Sequence, residues 1–350
     1  MNLNLFYENK RILITGNTGF KGSWLNFILK SFGAKVYGYS LPPKTKDDNF
    51  NLLKLKDNNT KYDDIRNYNK LKDFIKKIRP EIVFHLSAQA LVKNSYKDPH
   101  TTFSTNAMGT LNILDILKDT EFVKSIVIVT SDKCYKNLEK KMGYSELDEI
   151  GGLDPYSASK ASAENIFYSY YNSYFKKKKT VGAASVRAGN VIGGGDWSED
   201  RIVPDYIKSI IKNKIFFIRS PNAVRPWQHV FDLLNGYLIL ARKLYLQPTK
   251  YSGSYNFGPD KSKKDTVLQI IQQLKMIMSI DKKIFIKADK TIKETTYLKL
   301  KITKSKKILK WKPKLNLKKS LELTGQWYRV YLNNQNLINF SKKQVNNFFK

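Results

Sequence analysis

A single cysteine, Cys134, stands in 350 residues, so no internal disulfide can form and the chain suits a reducing cytosol. Histidine is almost as scarce. Neither His85 nor His229 has a partner at metal-ligand spacing, so no metal site is expected. The first residues are polar and lack an apolar stretch of signal-peptide type, so no leader is expected there. No run approaches the roughly 18 apolar residues of a membrane-spanning helix. Acidic residues are few, 30 against 62 Lys and Arg, which leaves a formal charge of +32. The excess is almost all lysine, spread along the chain with a denser stretch over 293–319. No helix-turn-helix, zinc-finger or RNP-like motif accompanies it, so nucleic acid is not the expected partner. A positive field still attracts a diphosphate-bearing ligand.

A hydrophobic fraction of 41% is ample for a buried core. The run R-I-L-I-T (11–15) reads as a strand that ends in Gly16, and 23–32 reads as a helix closed by Gly33. K-V-Y-G-Y (35–39) is the next strand. Strand, glycine turn, helix and strand make a βαβ unit, which crosses over right-handed into a parallel sheet. The alternation continues with a helix over 68–78, a strand over 81–86, a helix over 101–118 and a strand over 125–130. A longer helix over 157–175 and a strand over 181–186 follow. The expected fold is α/β, a Rossmann-like doubly wound parallel sheet with a smaller C-terminal substrate-binding domain. Residues 1–187 are read as the nucleotide-binding domain, with segments returning near 222–256. Residues 188–330, with shorter elements, are read as mainly substrate-binding, and 331–350 as a loosely held polar tail.

Two constellations carry chemistry. Gly16, Gly19 and Gly22 form G-x-x-G-x-x-G between the first strand and its helix. The first permits a tight turn, the second a close backbone approach to a pyrophosphate, and the third close helix–sheet packing. No Asp or Glu ends the second strand, so this position does not separate NAD from NADP. Asp64 either bonds an adenine amine or is a surface turn residue. Tyr156 and Lys160 form Y-x-x-x-K, one helical turn apart on the same face. A neighbouring ammonium and a positive nicotinamide ring are expected to lower the phenol pKa and make Tyr156 a general base. Ser131, Asp132 and Lys133 follow the fifth strand at the carboxyl edge, where ligands of open α/β sheets sit. They read either as a hydroxyl, an acid and a base or as a polar turn with an Asp cap.

These residues make the chain resemble the extended short-chain dehydrogenase/reductase family, in its nucleotide-sugar branch. The shared runs are T-G-N-T-G-F-K-G-S-W-L (15–25), H-L-S-A-Q (85–89), N-A-M-G-T (106–110), T-S-D-K-C-Y (130–135) and D-P-Y-S-A-S-K (154–160). R-A-G-N-V-I-G-G-G-D-W (187–197) and R-P-W-Q-H-V (225–230) complete them. The departures are Asn17, where His is usual, and Ser87, where Ala is usual. The resemblance implies bound NAD, a nucleotide-sugar substrate with CDP-glucose expected, and a redox-neutral 4,6-dehydration. Another nucleotide-sugar dehydratase or an epimerase is the alternative.

The resemblance also implies roles. Tyr156 takes the proton of the 4-hydroxyl with Lys160 holding it, and Ser131 bonds the same oxygen. Asp132 protonates the departing 6-hydroxyl. Lys133 removes the carbon 5 proton, where dTDP-glucose dehydratases carry Glu. Cofactor contacts are expected from Gly16, Asn17, Thr18, Gly19, Phe20 and Gly22, from Asp64 and Ile65, from Leu86, Ser87 and Ala88, and from Asn106, Tyr156 and Lys160. Substrate contacts are expected from Gln89, Ser131, Arg187, Asn190, Arg201 and Arg225, the arginines on the diphosphate. The two long helices are expected to pair in a homodimer or homotetramer.

Overall fold

The computed structural model describes residues 3–260, 265–280, 283–286 and 298–350. The start of the lysine-dense stretch, at Lys293, lies outside the described residues. Eleven strands follow in chain order: β1 Arg11–Thr15, β2 Lys35–Ser40, β3 Thr60–Tyr62, β4 Ile82–His85, β5 Ser125–Val129, β6 Gly182–Ala188, β7 Val191–Ile192, β8 Phe216–Ile218, β9 Gln228–His229, β10 Gly253–Phe257 and β11 Ile284–Ile286. Seven of them make one sheet in the order β10-β6-β5-β4-β1-β2-β3, with every pairing parallel. The order reverses at β1, so the helices that follow β1 and β4 pack on opposite faces of the sheet and a crevice is left at the carboxyl edge.

Strand residues alternate between two cores, as double winding requires. Ile12, Ile14, Phe84, Val127 and Val186 enter one core. Leu13, Val83, Ile126, Ile128 and Ala183 enter the other. The helix Phe20–Ser31 packs in the first and the helix Tyr68–Ile78 in the second.

The helices expected at 101–118 and 157–175 begin earlier, at Pro99 and Pro155, because Asp98 and Asp154 cap them and a proline suits the first helical position. Each carries a wide i→i+5 turn, at Ser104–Met108 and Tyr171–Phe175. The sequence reading missed the short helix Leu3–Tyr7 and strand β3, whose three residues show no clear alternation.

Two expectations for the second half fail. Its elements are not uniformly short: Val230–Leu246 is a 17-residue helix, apolar on a broad face, and it docks against β5 and β6. Residues 331–350 are not a loose tail. The helix Leu337–Phe349 buries Leu337, Val345, Phe348 and Phe349 at helical spacing. Phe349 packs edge-on to Phe32 at 5.5 Å, so this helix closes the first core. Its Asn and Lys residues are the solvent face of an amphipathic helix.

Candidate active site

The glycine turn fits a bound pyrophosphate. Gly16 has φ +72°, and a Cβ there would come within 2.8 Å of the Ser87 nitrogen, so only glycine lets the β1 and β4 loops meet. At Gly22 a Cβ would stand 2.1 Å from the Gly16 carbonyl, whereas at Gly19 it would meet nothing nearer than 3.4 Å. Gly16 and Gly22 therefore serve packing, and Gly19 leaves the cradle open to a ligand. At the end of β2, Thr18 bonds the Ser40 hydroxyl at 2.7 Å and the Leu41 carbonyl at 2.9 Å.

Several expected cofactor side chains have other work. Asn17 is buried beneath the turn and donates to Thr60 Oγ1 at 3.1 Å, so only its backbone faces the cradle. The Asp64 carboxylate is held by Arg66, with its NH2 at 2.7 Å. Ile65 is buried against Gly109. Ser87 N–H bonds Thr15 Oγ1 at 3.3 Å and so braces the loop Leu86–Ala88 on β1. Asn106, in the wide turn, grips the Gln89 N–H at 2.8 Å and the Gln89 carbonyl at 3.0 Å, and reaches Ser159 at 2.8 Å. It positions the β4 loop against the catalytic helix. Gln89 does not project toward a substrate: its amide bonds Leu91 and Thr102 within its own neighbourhood. That expectation is corrected, because the side chain's hydrogen bonds are spent on the loop that carries it.

Asp154 caps the catalytic helix by accepting from Ser157 N–H at 3.0 Å, and Ser95 Oγ accepts from Tyr156 N–H at 3.1 Å. Tyr156 and Lys160 are both buried. Ser131 Oγ donates to Asp132 Oδ1 at 3.1 Å and lies near enough to the Tyr156 phenol to pull its pKa down. The turn after β5 packs against the helix that carries Tyr156. Burial raises the Asp132 carboxyl to about 6, against the pull of Lys133. Burial also lowers the Lys160 amine to about 7, with Lys21 adding to the effect.

Burial acts on the Tyr156 phenol as well. Burial holds it above its ordinary value, although Ser131 and Arg201 pull it down. Lys160 donates to the Val129 carbonyl at 3.4 Å and is itself desolvated. Lys133 is half-buried on the turn after Ser131, whose Oγ accepts from its N–H at 3.2 Å.

The two narrow motifs of the second half lie together, because β7 and β9 pair as Val191↔Gln228 and Ile192↔His229. This brings half-buried Asn190 beside the segment of half-buried Arg225. Arg201 bonds Asp196 at 3.2 Å and lies within electrostatic reach of Tyr156. Arg187 is a correction. It is only 4% exposed, gives NH2 to Glu164 at 2.7 Å and NH1 to the Tyr135 hydroxyl at 2.7 Å, and is not offered to a diphosphate. Being on β6, it points into the protein.

Lys21 is the residue that sequence reading missed. Its amine lies within electrostatic reach of Asp132, Asp196, Arg201 and Lys160. The signal was present in the narrow F-K-G-S-W run, as a charge in the first turn after a ligand cradle. His85 is buried between Thr15 at 2.8 Å and Thr110 at 3.3 Å. Among the described residues no group of three or more His, Cys, Asp or Glu stands ready to hold a metal, and no helix is long and apolar enough to cross a membrane.

The family model described as GDP-mannose 4,6 dehydratase matches residues 13–324. The chain belongs to that family, within the extended short-chain dehydrogenases/reductases. A member from Salmonella typhimurium, CDP-glucose 4,6-dehydratase, is 40% identical over 98% of this chain and 97% of its own length. Among solved folds, UDP-glucose 4-epimerase of Thermotoga maritima superposes with a TM-score of 0.79 at 24% identity, covering 92% of this chain and 99% of that one. The dTDP-glucose 4,6-dehydratase of Bacillus anthracis, solved with NAD, gives 0.75 at 23% identity over 93% and 98%. The chain's glycine turn follows β1, at the point where the strand order reverses.

Proposed function

We propose that the protein is an NAD-dependent lyase that converts CDP-glucose to the CDP-linked 4-keto-6-deoxy sugar and water, in the cytoplasm, as a homodimer or homotetramer. The observation that carries this reading is the Ser131 hydroxyl donating to Asp132 Oδ1, on a turn that packs against the helix carrying Tyr156. A 4-epimerase has no use for an acid beside its alcohol-oxidising phenol. The name of the Salmonella relative supports CDP-glucose as the sugar nucleotide.

Tyr156 accepts the 4-hydroxyl proton, and Ser131 holds that oxygen. When bound on the glycine turn and the Leu86–Ala88 loop, NAD supplies the hydride acceptor and donor, and its positive ring favours the Tyr156 phenolate. The 4-ketone acidifies the carbon 5 hydrogen, which Lys133 removes. Asp132, which burial keeps able to carry a proton, protonates the departing 6-hydroxyl. Arg201, Arg225 and Asn190 hold the diphosphate. Pairing of subunits through the two long helices is supported by Phe103, Met108 and Tyr168, which stand 36%, 49% and 71% exposed there.

Purified protein incubated with CDP-, dTDP-, UDP- and GDP-glucose is expected to convert CDP-glucose fastest, with the product one water lighter by mass. In deuterated water the product gains deuterium at carbon 5 in the wild type and loses that label in Lys133→Met. Faster conversion of another nucleotide overturns the substrate, and a product of unchanged mass overturns the dehydration. Light scattering reads the subunit number.

A further inference from the structure

All seven strands of the parallel sheet start at one edge, and the helices between them run back and end there. That edge lies opposite the crevice, about 20 Å away along strands of this length. Its helix ends carry lysine. Phe20–Ser31 has Lys30 in its last turn, Tyr68–Ile78 has Lys76 and Lys77, and Val230–Leu246 has Lys243. The helix before β5 closes on Lys118, and Lys176, Lys177 and Lys178 form the last turn before β6.

Contacts join these cations into one face. Lys35 N–H donates to the Lys10 carbonyl at 2.9 Å, Glu81 N–H to the Arg11 carbonyl at 2.8 Å, and Gly182 N–H to the Lys124 carbonyl at 2.9 Å. Arg11 Nε donates to the Arg79 carbonyl at 2.9 Å, and the Arg79 guanidinium lies over the Phe122 ring at 5.0 Å. Lys178 Nζ donates to the Thr120 carbonyl at 3.3 Å. Arg11, Lys35, Lys77, Arg79, Lys177 and Lys179 are exposed. Acids are few there. Glu81 and Asp57 are taken by Lys10 and Lys30 at 3.2 and 2.6 Å, which leaves Glu8, Asp119 and Glu121 exposed among the described residues. The opposite edge gathers acids instead: Asp63 and Asp64 follow β3, Asp132 follows β5, and Asp98 and Asp154 cap helices that begin there.

The basic face also holds apolar side chains. Phe6 and Tyr245 meet edge-on at 5.4 Å, with the Arg242 guanidinium 5.9 Å from the Phe6 ring and Lys10 Nζ 4.8 Å from the Tyr245 ring. Leu5 and Leu246, next in the chain to that pair, stand 61% and 54% exposed. Lysine at a helix end answers the helix dipole. The dipole does not call for Arg11 and Lys35 at strand starts, nor for two leucines left in water among cations.

We propose that this edge docks the protein on an anionic phospholipid bilayer, with lysines on the headgroups, Leu5 and Leu246 in the interfacial layer, and the crevice facing away from the membrane. Seven strands make the edge roughly 30 Å wide, which suits a broad flat partner. Clustered lysines and arginines are drawn to anionic lipid, and a few exposed apolar side chains supply the second signal that such docking needs. A nucleic acid would use the charge and leave the leucines without a role.

The experiment sediments the full chain with vesicles of phosphatidylcholine alone and of phosphatidylcholine mixed with phosphatidylglycerol. Binding is expected on the anionic vesicles only, weakening as salt is added. The variant Lys176→Glu/Lys177→Glu/Lys179→Glu should bind about a hundredfold more weakly, at about fivefold per lysine. Lys76→Glu/Lys77→Glu, on a different helix, should lose tenfold or more by the same measure. Leu246→Ser should weaken binding without changing the charge. The control Lys141→Glu/Lys212→Glu/Lys214→Glu removes as much charge from exposed sites after β5 and before β8, and should bind as the wild type does. Melting temperature and turnover in solution should hold in every variant. No binding of the wild type to anionic vesicles overturns the proposal. So does an equal loss in the control, which would make the attraction one of net charge and not of this face. Tighter binding to duplex DNA at the same salt, indifferent to Leu246→Ser, would give the face to nucleic acid and overturn the lipid.

Discussion

Arg187 closes on Glu164 at 2.7 Å beneath the active site, from β6 to a point two helical turns beyond Tyr156 on the catalytic helix. Glu164 Oε2 also accepts from Ser185 at 2.7 Å, and the Thr130 hydroxyl bonds Oε1. Removing one partner of such a buried pair strands the other charge and costs about 3–5 kcal/mol. Arg187→Met is therefore expected to lower the melting temperature sharply while KM for the sugar nucleotide holds in the folded fraction. The double variant Arg187→Met/Glu164→Leu should recover part of the loss. A normal melt with a raised KM would return Arg187 to the diphosphate.

Asp132 ties stability to pH. Its carboxyl is raised to about 6 in the fold, against about 3.9 in an unfolded chain. The folded state therefore binds this proton more tightly. The stability it contributes is complete below the unfolded value and is lost as pH rises through the folded one. Asp132→Asn removes that loss while keeping the size. Wild type and variant should unfold at similar urea concentrations near pH 4, and the variant should be more stable at neutral pH by about 1–3 kcal/mol. Turnover should fall about 10²-fold or more. Parallel pH profiles for the two proteins would contradict the burial of this charge.

Tyr156→Phe removes one hydroxyl from a buried, well-capped helix. The melt should scarcely change, and conversion of the sugar should fall about 10²–10⁴-fold. Nucleotide-sugar binding by calorimetry should survive, because the residues proposed to hold the diphosphate, Arg201, Arg225 and Asn190, are untouched. Retained conversion would remove the phenol from the reaction.

The C-terminal helix offers a test of packing alone. Phe349 meets Phe348 at 4.8 Å and Phe32 at 5.5 Å. Phe349→Ala should cost about 3 kcal/mol, read from urea unfolding, whereas Lys343→Ala on the exposed face should change nothing. Equal behaviour of the two variants would mean that the helix does not close the core.

Most strands and helices of the first half were legible because they are local. Each apolar run between turn residues, and each stripe at helical spacing, records its own environment over a few residues. β3 escaped because three residues, T-K-Y, are too few to show a period. The last helix was misread because composition was weighed before spacing: Asn and Lys dominate 331–350, while Leu337, Val345, Phe348 and Phe349 sit on one face. In the site, the glycine turn and the Y-x-x-x-K pair stood out because each lies within one short segment.

By itself the sequence determined most strands and helices of the first half, the cradle of Gly16, Gly19 and Gly22 and the phenol–amine pair of Tyr156 and Lys160, since periodicity and spacing act within a few residues. Only the tertiary structure decided that Arg187 serves Glu164 inside the protein while Arg201 stays at the rim, and that Lys160 leans on Val129. The physical reason is that a charge's role depends on which distant segments fold over it and how much water they remove, and no short window of residues contains that information.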